Sequence, residues 1–511
     1  MVRTDRIMRL NEKDNVAVAL HDLEPGTRLG FGVLQLITDQ RIPKGHKIAL
    51  QDIAAGNNVM KYGYSIGLAK TDIAAGQWVH THNMHTGLEG ELEYTYVQTT
   101  DGADRLQQQK ADQLPTFLGY ERENGEVGIR NEVWIINTVG CVNKTAEILA
   151  KEANRINGFT GVVGTADSFG GVFTFPHPYG CSQLGDDHQM TQLILAGLAR
   201  HPNAAGVLVL GLGCENNNIP EFKKVLGEYD PNRIKFLSTQ EADDEIEAGL
   251  ELLNELIEHA RTYRRTPCPA EKLRIGLKCG GSDAFSGITA NPLVGAIADR
   301  LTNAGGTAIL TEVPEMFGAE TILMERCASR DVFDKTVNLI NDFKQYYVRH
   351  GQVIYENPSP GNKNGGITTL EEKSLGCTQK GGTSEVTDVL PYGGRAQKTG
   401  LNLLQGPGND IVAVTALTAA GAHMVLFTTG RGTPLGAPVP TVKISTNSDL
   451  AGRKSRWIDF NAGVLLEGET MDATADRLMN QLLDLASGRG FTKNEENGYR
   501  EIAIFKNGVT L

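Results

Sequence analysis

The apolar positions of this chain follow two patterns, which separate a short N-terminal part from a longer remainder. Between residues 13 and 97 the apolar runs are brief and β-rich, as in VAVAL, KIAL, VMKYG and WVHTH. The phrase Asp-apolar-x-x-Gly occurs there three times, as DLEPG and twice as DIAAG, each before a hydrophobic segment. Short strands joined by repeated turns predict a compact β-domain.

Beyond a polar stretch at 98–118, which predicts a linker, the apolar runs lengthen and alternate with helix-compatible segments. In chain order they are VWIINTV, TAEILAKEANRI, GVVGTA, MTQLILAGLARH and AGVLVLGLG. Continuous apolar strands separated by helices are typical of parallel sheets in α/β domains. A second series starts after Pro269 with RIGLKC and continues through MVLFTTG, TVKIS and an amphipathic helix around RLMNQLLDLASG.

These patterns predict a multidomain α/β protein with a small N-terminal β-domain. We expect the β-domain at 1–97, the linker at 98–118, a middle α/β domain at 119–268 and a C-terminal α/β domain at 269–511. The pattern leaves open whether the C-terminal part is one large α/β domain or two small ones.

The composition and charge of the chain argue against some classes of function. The 511 residues, 40% of them hydrophobic, are enough for sizeable cores, and a net charge of -12 without a dense basic run argues against nucleic acid or membrane partners. We therefore expect a small-molecule substrate. No apolar stretch approaches the about 20 residues of a spanning helix, and the N-terminus lacks a signal-peptide pattern, so we expect a cytoplasmic protein. The oligomeric state stays open, a homo-oligomer included.

Candidate chemistry is concentrated in glycine-rich turns that carry cysteine, histidine or carboxylate side chains. They are TVGCVNKT, HPYGCSQLGDDH, GLGCENN, KCGGSDAFSGITANP, TEVPEMFGAE, ENPSPGNKNGG and FTTGRGTP. Glycine allows backbone geometry and close ligand approach that other residues resist, so such loops suit an enzyme site better than a core. Ligands of open α/β sheets bind beyond the carboxyl ends of strands, and that is where the sequence places Cys141, Cys214, Cys279, Glu312 and Arg431.

Several long phrases resemble the altronate and galactarate dehydratases over essentially the whole chain. They include GHKIALQDIAAG, NEVWIINTVGCVN, HPYGCSQLGDDH, CGGSDAFSGITANP and ENPSPGNKNGGITTLEEKSLGCTQK, and HTHN, GCSQLGDDH and SLGCTQK resemble the altronate branch. The resemblance implies an N-terminal β-clip domain of the SAF type, a middle domain and a C-terminal catalytic domain. It also implies dehydration of D-altronate to 2-dehydro-3-deoxy-D-gluconate, assisted by a divalent metal, Fe(2+) or Mn(2+).

Such a dehydration needs a base for the proton beside the carboxylate, an electrophile for the enediolate and an acid for the departing hydroxyl. His80 and His82 would share one face of a strand and could hold one cation, although an exposed polar turn is the alternative. His177, His188 and Asp187 are candidates for acid–base catalysis, and the alternative for the aspartate is a helix cap.

The cysteine-bearing turns add further metal candidates. We predict Cys181, Cys214 and Glu215 as ligands. Together with Cys141 and Cys279, these cysteines could instead ligate an iron–sulfur cluster, although no closely spaced cysteine signature is present, or serve as small buried residues.

The C-terminal turns supply the remaining candidates. Glu312 and Glu315 could act as a base or as metal ligands. Arg431 is the first choice for binding the substrate carboxylate and Lys363 the second, with a surface salt bridge as the ordinary alternative for the arginine. Polar groups suited to the hydroxyls of a sugar acid are Ser282, Asp283 and Asn291.

The sequence thus predicts a metal-assisted hydro-lyase that acts on D-altronate. One alternative is a galactarate dehydratase, whose pocket should offer a second basic group opposite Arg431. The other is a non-catalytic protein that binds sugar acids through its β-domain.

Overall fold

The N-terminal β-domain consists of small antiparallel sheets. The computed structural model describes residues 2–31, 34–88, 90, 93–96, 115–159 and 169–508. Within these ranges, strands β1 to β10 are Val2–Arg3, Ile7–Arg9, Val16–Ala19, Arg28–Phe31, Leu34–Ile37, Lys47–Ala49, Asn58–Lys61, Tyr64–Ala69, Trp78–Val79 and Met84–His85. They form sheets in the orders β1-β2-β3-β6-β9, β10-β8-β7 and β4-β5.

The repeated DIAAG turns of this domain pack against each other. The backbone N–H of Ala75 donates to Asp52 Oδ1 and that of Ala55 donates to Asp72 Oδ1, both at 2.8 Å. Ile53 and Ile73 form an antiparallel bridge between the two turns. Each aspartate therefore satisfies a backbone donor of the other repeat, which explains why the phrase recurs.

The middle domain is built on a parallel sheet in the order β14-β13-β15-β16. Its strands are β13 Glu132–Asn137, β14 Val172–Thr174, β15 Ala204–Gly211 and β16 Ile234–Ser238, and its helices α1 to α4 are Asn143–Ile156, Gly185–Ala199, Ile219–Leu226 and Glu245–Ala260. A separate antiparallel sheet, ordered β12-β11-β17, joins β11 Thr116–Glu121, β12 Val127–Gly128 and β17 Arg265–Pro269.

Two segments predicted from the sequence fall on chain that the structure does not describe. The predicted linker at 98–118 lies outside the described residues as far as position 114, and its last residues already belong to β11, which starts at Thr116. The strand predicted for GVVGTA also lies outside the described residues.

The C-terminal domain has one seven-stranded parallel sheet, in the order β20-β21-β19-β18-β22-β23-β24. Its strands β18 to β24 are Arg274–Cys279, Thr307–Leu310, Val386–Leu390, Gly400–Leu404, Met424–Thr429, Thr441–Ser445 and Phe460–Asn461. Helices α5 to α13 are Ala290–Asn303, Glu320–Met324, Arg330–Arg349, Pro360–Asn364, Leu370–Cys377, Asp410–Ala419, Ser448–Arg453, Met471–Ala486 and Lys493–Glu496. The predicted multidomain α/β fold is confirmed, and the C-terminal series forms one sheet.

The middle and C-terminal domains share a hydrophobic core, to which helices α2 and α10 both contribute. Their contact is close at Gly197, where a β-carbon would lie 2.7 Å from the carbonyl oxygen of Ala419. Glycine at this position lets the two helix backbones approach. None of the helices in the described ranges is both long and apolar enough to cross a bilayer.

Candidate active site

A cavity of about 840 Å³ lies at the carboxyl edge of the seven-stranded sheet. This position follows the general rule for ligand sites in open α/β sheets. Polar and ionisable residues along its wall are Cys279, Ser282, Glu315, Asn357, Ser359, Asn362, Lys373, Asn409, Asp410 and Glu501. The wall also has an aromatic side, formed by Phe343, Tyr346, Tyr347 and Phe505. A wall of this kind suits a small polar ligand.

Two thiols and a carboxylate meet at the base of this cavity. Cys279 ends strand β18, Cys377 ends helix α9, and Glu315 belongs to a 3-10 turn after β19. The two sulfur atoms are 3.4 Å apart, and Glu315 Oε2 lies 3.0 Å from Cys279 Sγ and 3.1 Å from Cys377 Sγ. All three side chains are buried.

Buried lysines surround this group. Lys278 Nζ contacts Glu312 Oε1 and lies 2.9 Å from Asp410 Oδ1, while Lys380 Nζ is 3.4 Å from Glu312 Oε2. Lys373 Nζ lies 2.8 Å from Glu315 Oε1. Because each ammonium group has a carboxylate partner, charges that would be costly to bury alone are accommodated.

Burial and neighbouring charges shift the pKa values of Glu315 and Cys377. Burial alone would raise the pKa of Glu315, but the charges of Lys373, Lys278 and Lys380 outweigh it and hold the pKa below its usual range. The hydrogen bond between the Cys377 and Cys279 thiols, together with burial, raises the pKa of the Cys377 thiol well above its usual value. With these shifts, the carboxylate is ionised and the Cys377 thiol is neutral at neutral pH.

Glu312 adopts an unusual backbone conformation at the start of the same loop. Its φ of 71° places a non-glycine residue in the left-handed region. Its carboxylate accepts the backbone N–H of Cys279 at 2.9 Å, in addition to the lysine contacts. Strained residues of this kind are concentrated at functional sites.

The donor set fits a divalent cation. Cys279, Glu315 and Cys377 each offer a ligand atom, and these atoms lie within 4.8 Å of one another. The charged groups around these atoms are the carboxylates of Glu312, Glu315 and Asp410 and the ammonium groups of Lys278, Lys373 and Lys380. If both thiols ionise, the three carboxylates and two thiolates exceed the three lysines by two negative charges, which one divalent cation balances. Thiolate ligands favour Fe(2+) over the oxygen-preferring Mn(2+).

Some of the residues predicted from the sequence meet in this place. Ser282 and Glu315 line the cavity, and Glu312 is joined to Cys279 and Lys278 directly beside it. Sequence reasoning raised Cys279 within a four-cysteine alternative, and the structure places it against Glu315.

The other predicted substrate-binding residues do not line this cavity. Asp283 and Asn291 line a smaller cavity that shares Ser282 and Lys373 with it. The carboxylate of Asp283 accepts hydrogen bonds from Ser286 and Thr446. Asn291 donates to the carbonyl oxygen of Gly376 and accepts from Thr428. The Arg431 side chain is exposed, the Lys363 side chain is half-buried, and neither lines the cavity.

The histidine candidates of the middle domain are held by the backbone. His177 Nε2 donates to the carbonyl oxygen of Asn137 at 2.9 Å, and its Nδ1 accepts the N–H of Tyr179 at 3.2 Å. Burial lowers the pKa of His177 to about 4, so the ring is neutral. Asp187 accepts the N–H groups of Asn507 and Gly508 and so fixes the C-terminal tail. His188 lies in the same helix, α2.

The predicted histidine pair of the β-domain does not lie on a strand, because β9 ends at Val79 and the following residues form a turn. The His80 ring stacks on Trp78 with centroids 5.4 Å apart, and the His82 ring lies 5.1 Å from the same indole. His80 Nδ1 is 3.1 Å from the hydroxyl of Thr368 in the C-terminal domain. The imidazole therefore contributes to a domain contact.

The cysteine turns of the middle domain belong to a different sheet edge. Cys141, Cys181 and Cys214 are exposed. Glu215 is buried and accepts from the Thr138 hydroxyl at 2.6 Å and from the backbone of the residues before it, which closes its own turn. Their proposed roles as metal ligands stay predictions.

Sequence reasoning missed Cys377 and the lysines. Cys377 was not among the residues predicted for the site, and it ends a helix that the fold brings to the strand ends. Lys278 lies inside the apolar strand β18 and was not among the predicted site residues. The available signal was the phrase GGITTLEEKSLGCTQK, which combines Lys373, Cys377 and Lys380 in one glycine-bounded stretch.

Profiles of known families match three successive parts of the chain. The profile for the altronate/galactarate dehydratase SAF domain matches residues 5–87, and the one for the D-galactarate dehydratase/altronate hydrolase second domain matches residues 119–261. The D-galactarate/altronate dehydratase C-terminal profile matches residues 270–510, the part that contains the cavity. The altronate dehydratase of Escherichia coli K12 is 53% identical over 504 residues, which cover 99% of both chains. The chain belongs to the altronate/galactarate dehydratase family.

Other members of the altronate/galactarate dehydratase family show where the chain lies within it. The altronate dehydratase of Bacillus subtilis 168 is 51% identical over 506 residues, 99% of each chain. The galactarate dehydratase (L-threo-forming) of E. coli K12 is 32% identical over 517 residues, 98% of this chain and 96% of the relative. The chain is therefore more similar to these two altronate dehydratases than to that galactarate dehydratase.

Proposed function

We propose that the protein is a hydro-lyase that converts D-altronate to 2-dehydro-3-deoxy-D-gluconate and water. The observation that carries the proposal is sequence identity of 53% and 51% to the altronate dehydratases of two bacteria, over 99% of both chains in each case. The thiol–carboxylate–lysine cavity in the C-terminal domain supports it, because it combines a donor set that fits a divalent cation with hydrogen-bonding side chains along its wall, and such a cation would attract an acidic substrate.

We further propose that Cys279, Glu315 and Cys377 hold a divalent metal, preferably Fe(2+). When bound, such an ion polarises the substrate carboxylate and so makes the neighbouring proton easier to remove. The three ligand positions come from a strand end, a turn and a helix end. Since the three come from separate segments, this site forms only in the folded domain.

The residues of the chain supply binding and proton transfer. Lys373 lines the cavity, and its ammonium group pairs with Glu315 and so fixes the orientation of this proposed ligand. Asp410 also lines the cavity, at the start of helix α10, and its side chain is 37% exposed, so this carboxylate can reach a bound ligand as the proton acceptor. Ser282, Asn357 and Asn409 offer hydrogen-bonding groups for the hydroxyls of a sugar acid.

The proposal is tested by measuring formation of a 2-keto-3-deoxy acid by anaerobically purified protein. Altronate and galactarate are supplied separately, with and without Fe(2+) or Mn(2+). We expect metal-dependent turnover of altronate. Turnover of galactarate alone would correct the substrate, and saturable altronate binding without turnover by folded, metal-loaded protein would favour the sugar-acid-binding alternative.

A further inference from the structure

The N-terminal β-domain is attached to the catalytic domain by buried ion pairs. Lys47 Nζ lies 2.8 Å from Glu372 Oε2, and Lys61 Nζ lies 2.8 Å from Glu372 Oε1. All three side chains are at most 1% exposed. Lys47 also donates to the hydroxyl of Thr368 at 2.7 Å. One carboxylate of helix α9 is thus held by two lysines from another domain.

The same domain also binds the neighbouring carboxylate of this helix. The backbone N–H of Gly87 donates to Glu371 Oε1 at 2.7 Å, and the Thr86 hydroxyl contacts both carboxylate oxygens at 2.9 and 3.0 Å. Helix α9 has eight residues, and its N-terminal turn therefore receives two consecutive attachments from the β-domain.

Helix α9 is also the element that carries two residues of the candidate active site. Lys373 follows Glu372 directly and pairs with Glu315, and Cys377 ends the helix against Cys279. A displacement of the helix start would move both groups, because a short helix shifts as one body. The contacts of the β-domain are therefore made on the helix that carries both the ammonium and the thiol.

A hairpin tip of the β-domain reaches the far end of the same helix. Tyr62, between β7 and β8, has a φ of 62° and lines a small cavity together with Ser282, Lys373 and Cys377. A β-carbon built at Gly376, in helix α9, would lie 3.7 Å from the Tyr62 hydroxyl. The β-domain therefore touches helix α9 near both ends.

We infer that the N-terminal domain is a positioning element of the active site, in which Lys47 and Lys61 act through Glu372 to place Lys373 and Cys377. The inference rests on the proposed function for its catalytic consequence. Buried ion pairs are weak sources of stability, since apolar packing serves as well, but they hold a defined geometry, and removing one partner leaves a charge uncompensated. The two ion pairs at Glu372 therefore hold helix α9 at a fixed position relative to the β-domain.

The test compares Lys61→Met and Lys47→Met with Lys44→Met in the full-length protein. Lys44 joins the same two domains through Asp449 at 2.9 Å, but this pair is exposed and distant from helix α9 in sequence, so it is the matched control. We expect kcat for altronate to fall at least tenfold in both buried-lysine variants and to stay within twofold of wild type in Lys44→Met. Unchanged kcat in both buried-lysine variants would overturn the inference.

A second readout is independent of catalysis, and it is taken on chelator-treated protein because a metal held by Cys377 would itself slow labelling of that thiol. Alkylation rates of Cys377 and Cys268 are measured in the same protein by mass spectrometry; both thiols are buried, and Cys268 lies in strand β17, away from helix α9. Local displacement of the helix accelerates labelling of Cys377 alone, by at least fivefold. Equal acceleration at both cysteines would indicate general destabilisation and overturn the inference.

The two readouts separate this inference from the proposed function. If wild-type protein fails to turn over altronate, the proposed function fails while the labelling comparison still decides the positioning role. Thr86→Val is the milder variant, since it removes one hydrogen-bonding group and leaves the buried charges in place. In Thr86→Val we expect a labelling rate of Cys377 between those of wild type and Lys61→Met. A wild-type labelling rate in Lys47→Met, Lys61→Met and Thr86→Val would contradict the inference.

Discussion

Cys279 and Cys377 are 98 positions apart in the sequence, yet their sulfur atoms are 3.4 Å apart beside one carboxylate. The residues that meet them could be predicted only in part. Glu312 and Glu315 were predicted because carboxylates in a glycine-containing turn can act as a base or as metal ligands, and Ser282 because its hydroxyl suits a sugar acid. Cys377 could not be identified that way, since only the tertiary fold brings the end of helix α9 to the sheet edge.

At the residue scale, we expect Cys377→Ser to abolish tight metal binding. A hydroxyl is a poor replacement for a thiolate as a ligand of a soft or borderline cation. Co(2+) added to anaerobic protein should give a thiolate-to-metal charge-transfer band in wild type and in the control Cys268→Ser, and a strongly reduced band in Cys377→Ser. A band of equal intensity in all three proteins would remove Cys377 from the site.

A second residue-scale prediction concerns the buried lysine of strand β18. Lys278→Met leaves Glu312 without its principal cation in an interior position, so the free energy of unfolding should fall by about 3 kcal/mol. Lys398→Met removes an exposed pair with Asp388 and should change it by less than about 0.5 kcal/mol. Denaturant unfolding measures both values, and equal effects would contradict the buried-charge account.

At the scale of elements, the hydrophobic pattern predicted part of the structure, including strands β13, β15, β18 and β22 and helices α1, α2 and α12. It did not predict the longest helix, α7, or the assignment of strands to sheets. The pattern placed Cys141, Cys214, Cys279 and Glu312 at strand ends, and all of them lie there or directly beyond. The first two belong to the four-stranded sheet and the last two to the seven-stranded sheet. The hydrophobic pattern of a strand indicates how deeply it is buried, but not which strands lie beside it. The sequence therefore could not show whether these four side chains lie close together.

The crossing of helices α2 and α10 gives an element-scale prediction. Gly197→Ala places a methyl group 2.7 Å from the Ala419 carbonyl oxygen, so the helices must separate and stability should fall by about 1–3 kcal/mol. Gly452→Ala, in helix α11, meets nothing within 4 Å and should be neutral or slightly stabilising. Thermal unfolding of both variants tests the contact, and a neutral Gly197→Ala would contradict it.

At the scale of the whole molecule, the middle and C-terminal domains are joined by charged contacts as well as by their shared core. Arg130 pairs with Glu495, and Arg500 pairs with Glu132, all with nearly inaccessible side chains. Glu126 lies between Arg274 and Arg395, at 2.8 and 2.6 Å. These contacts could not be predicted from the sequence, because each joins residues more than a hundred positions apart.

The Glu126 contact predicts a pH dependence of stability. Burial opposes ionisation, but Arg395 and Arg274 outweigh it and lower the pKa of Glu126 to about 2. A carboxylate with a lowered folded-state pKa contributes its full stability above the unfolded value and loses it as pH falls from about 4.5 towards 2. We expect the stability difference between wild type and Glu126→Gln to be largest near pH 6 and to shrink over that interval. A constant difference would contradict the assignment.

The central claim, that this family member dehydrates altronate at the Cys279–Glu315–Cys377 group, is tested most directly by one rate comparison. The initial rate of 2-dehydro-3-deoxy-D-gluconate formation from D-altronate is measured for anaerobic, Fe(2+)-supplied wild type and Cys377→Ser. The account predicts turnover by wild type and a loss of at least about 100-fold in the variant, since a metal ligand is removed. Equal rates in the two proteins would place the chemistry elsewhere.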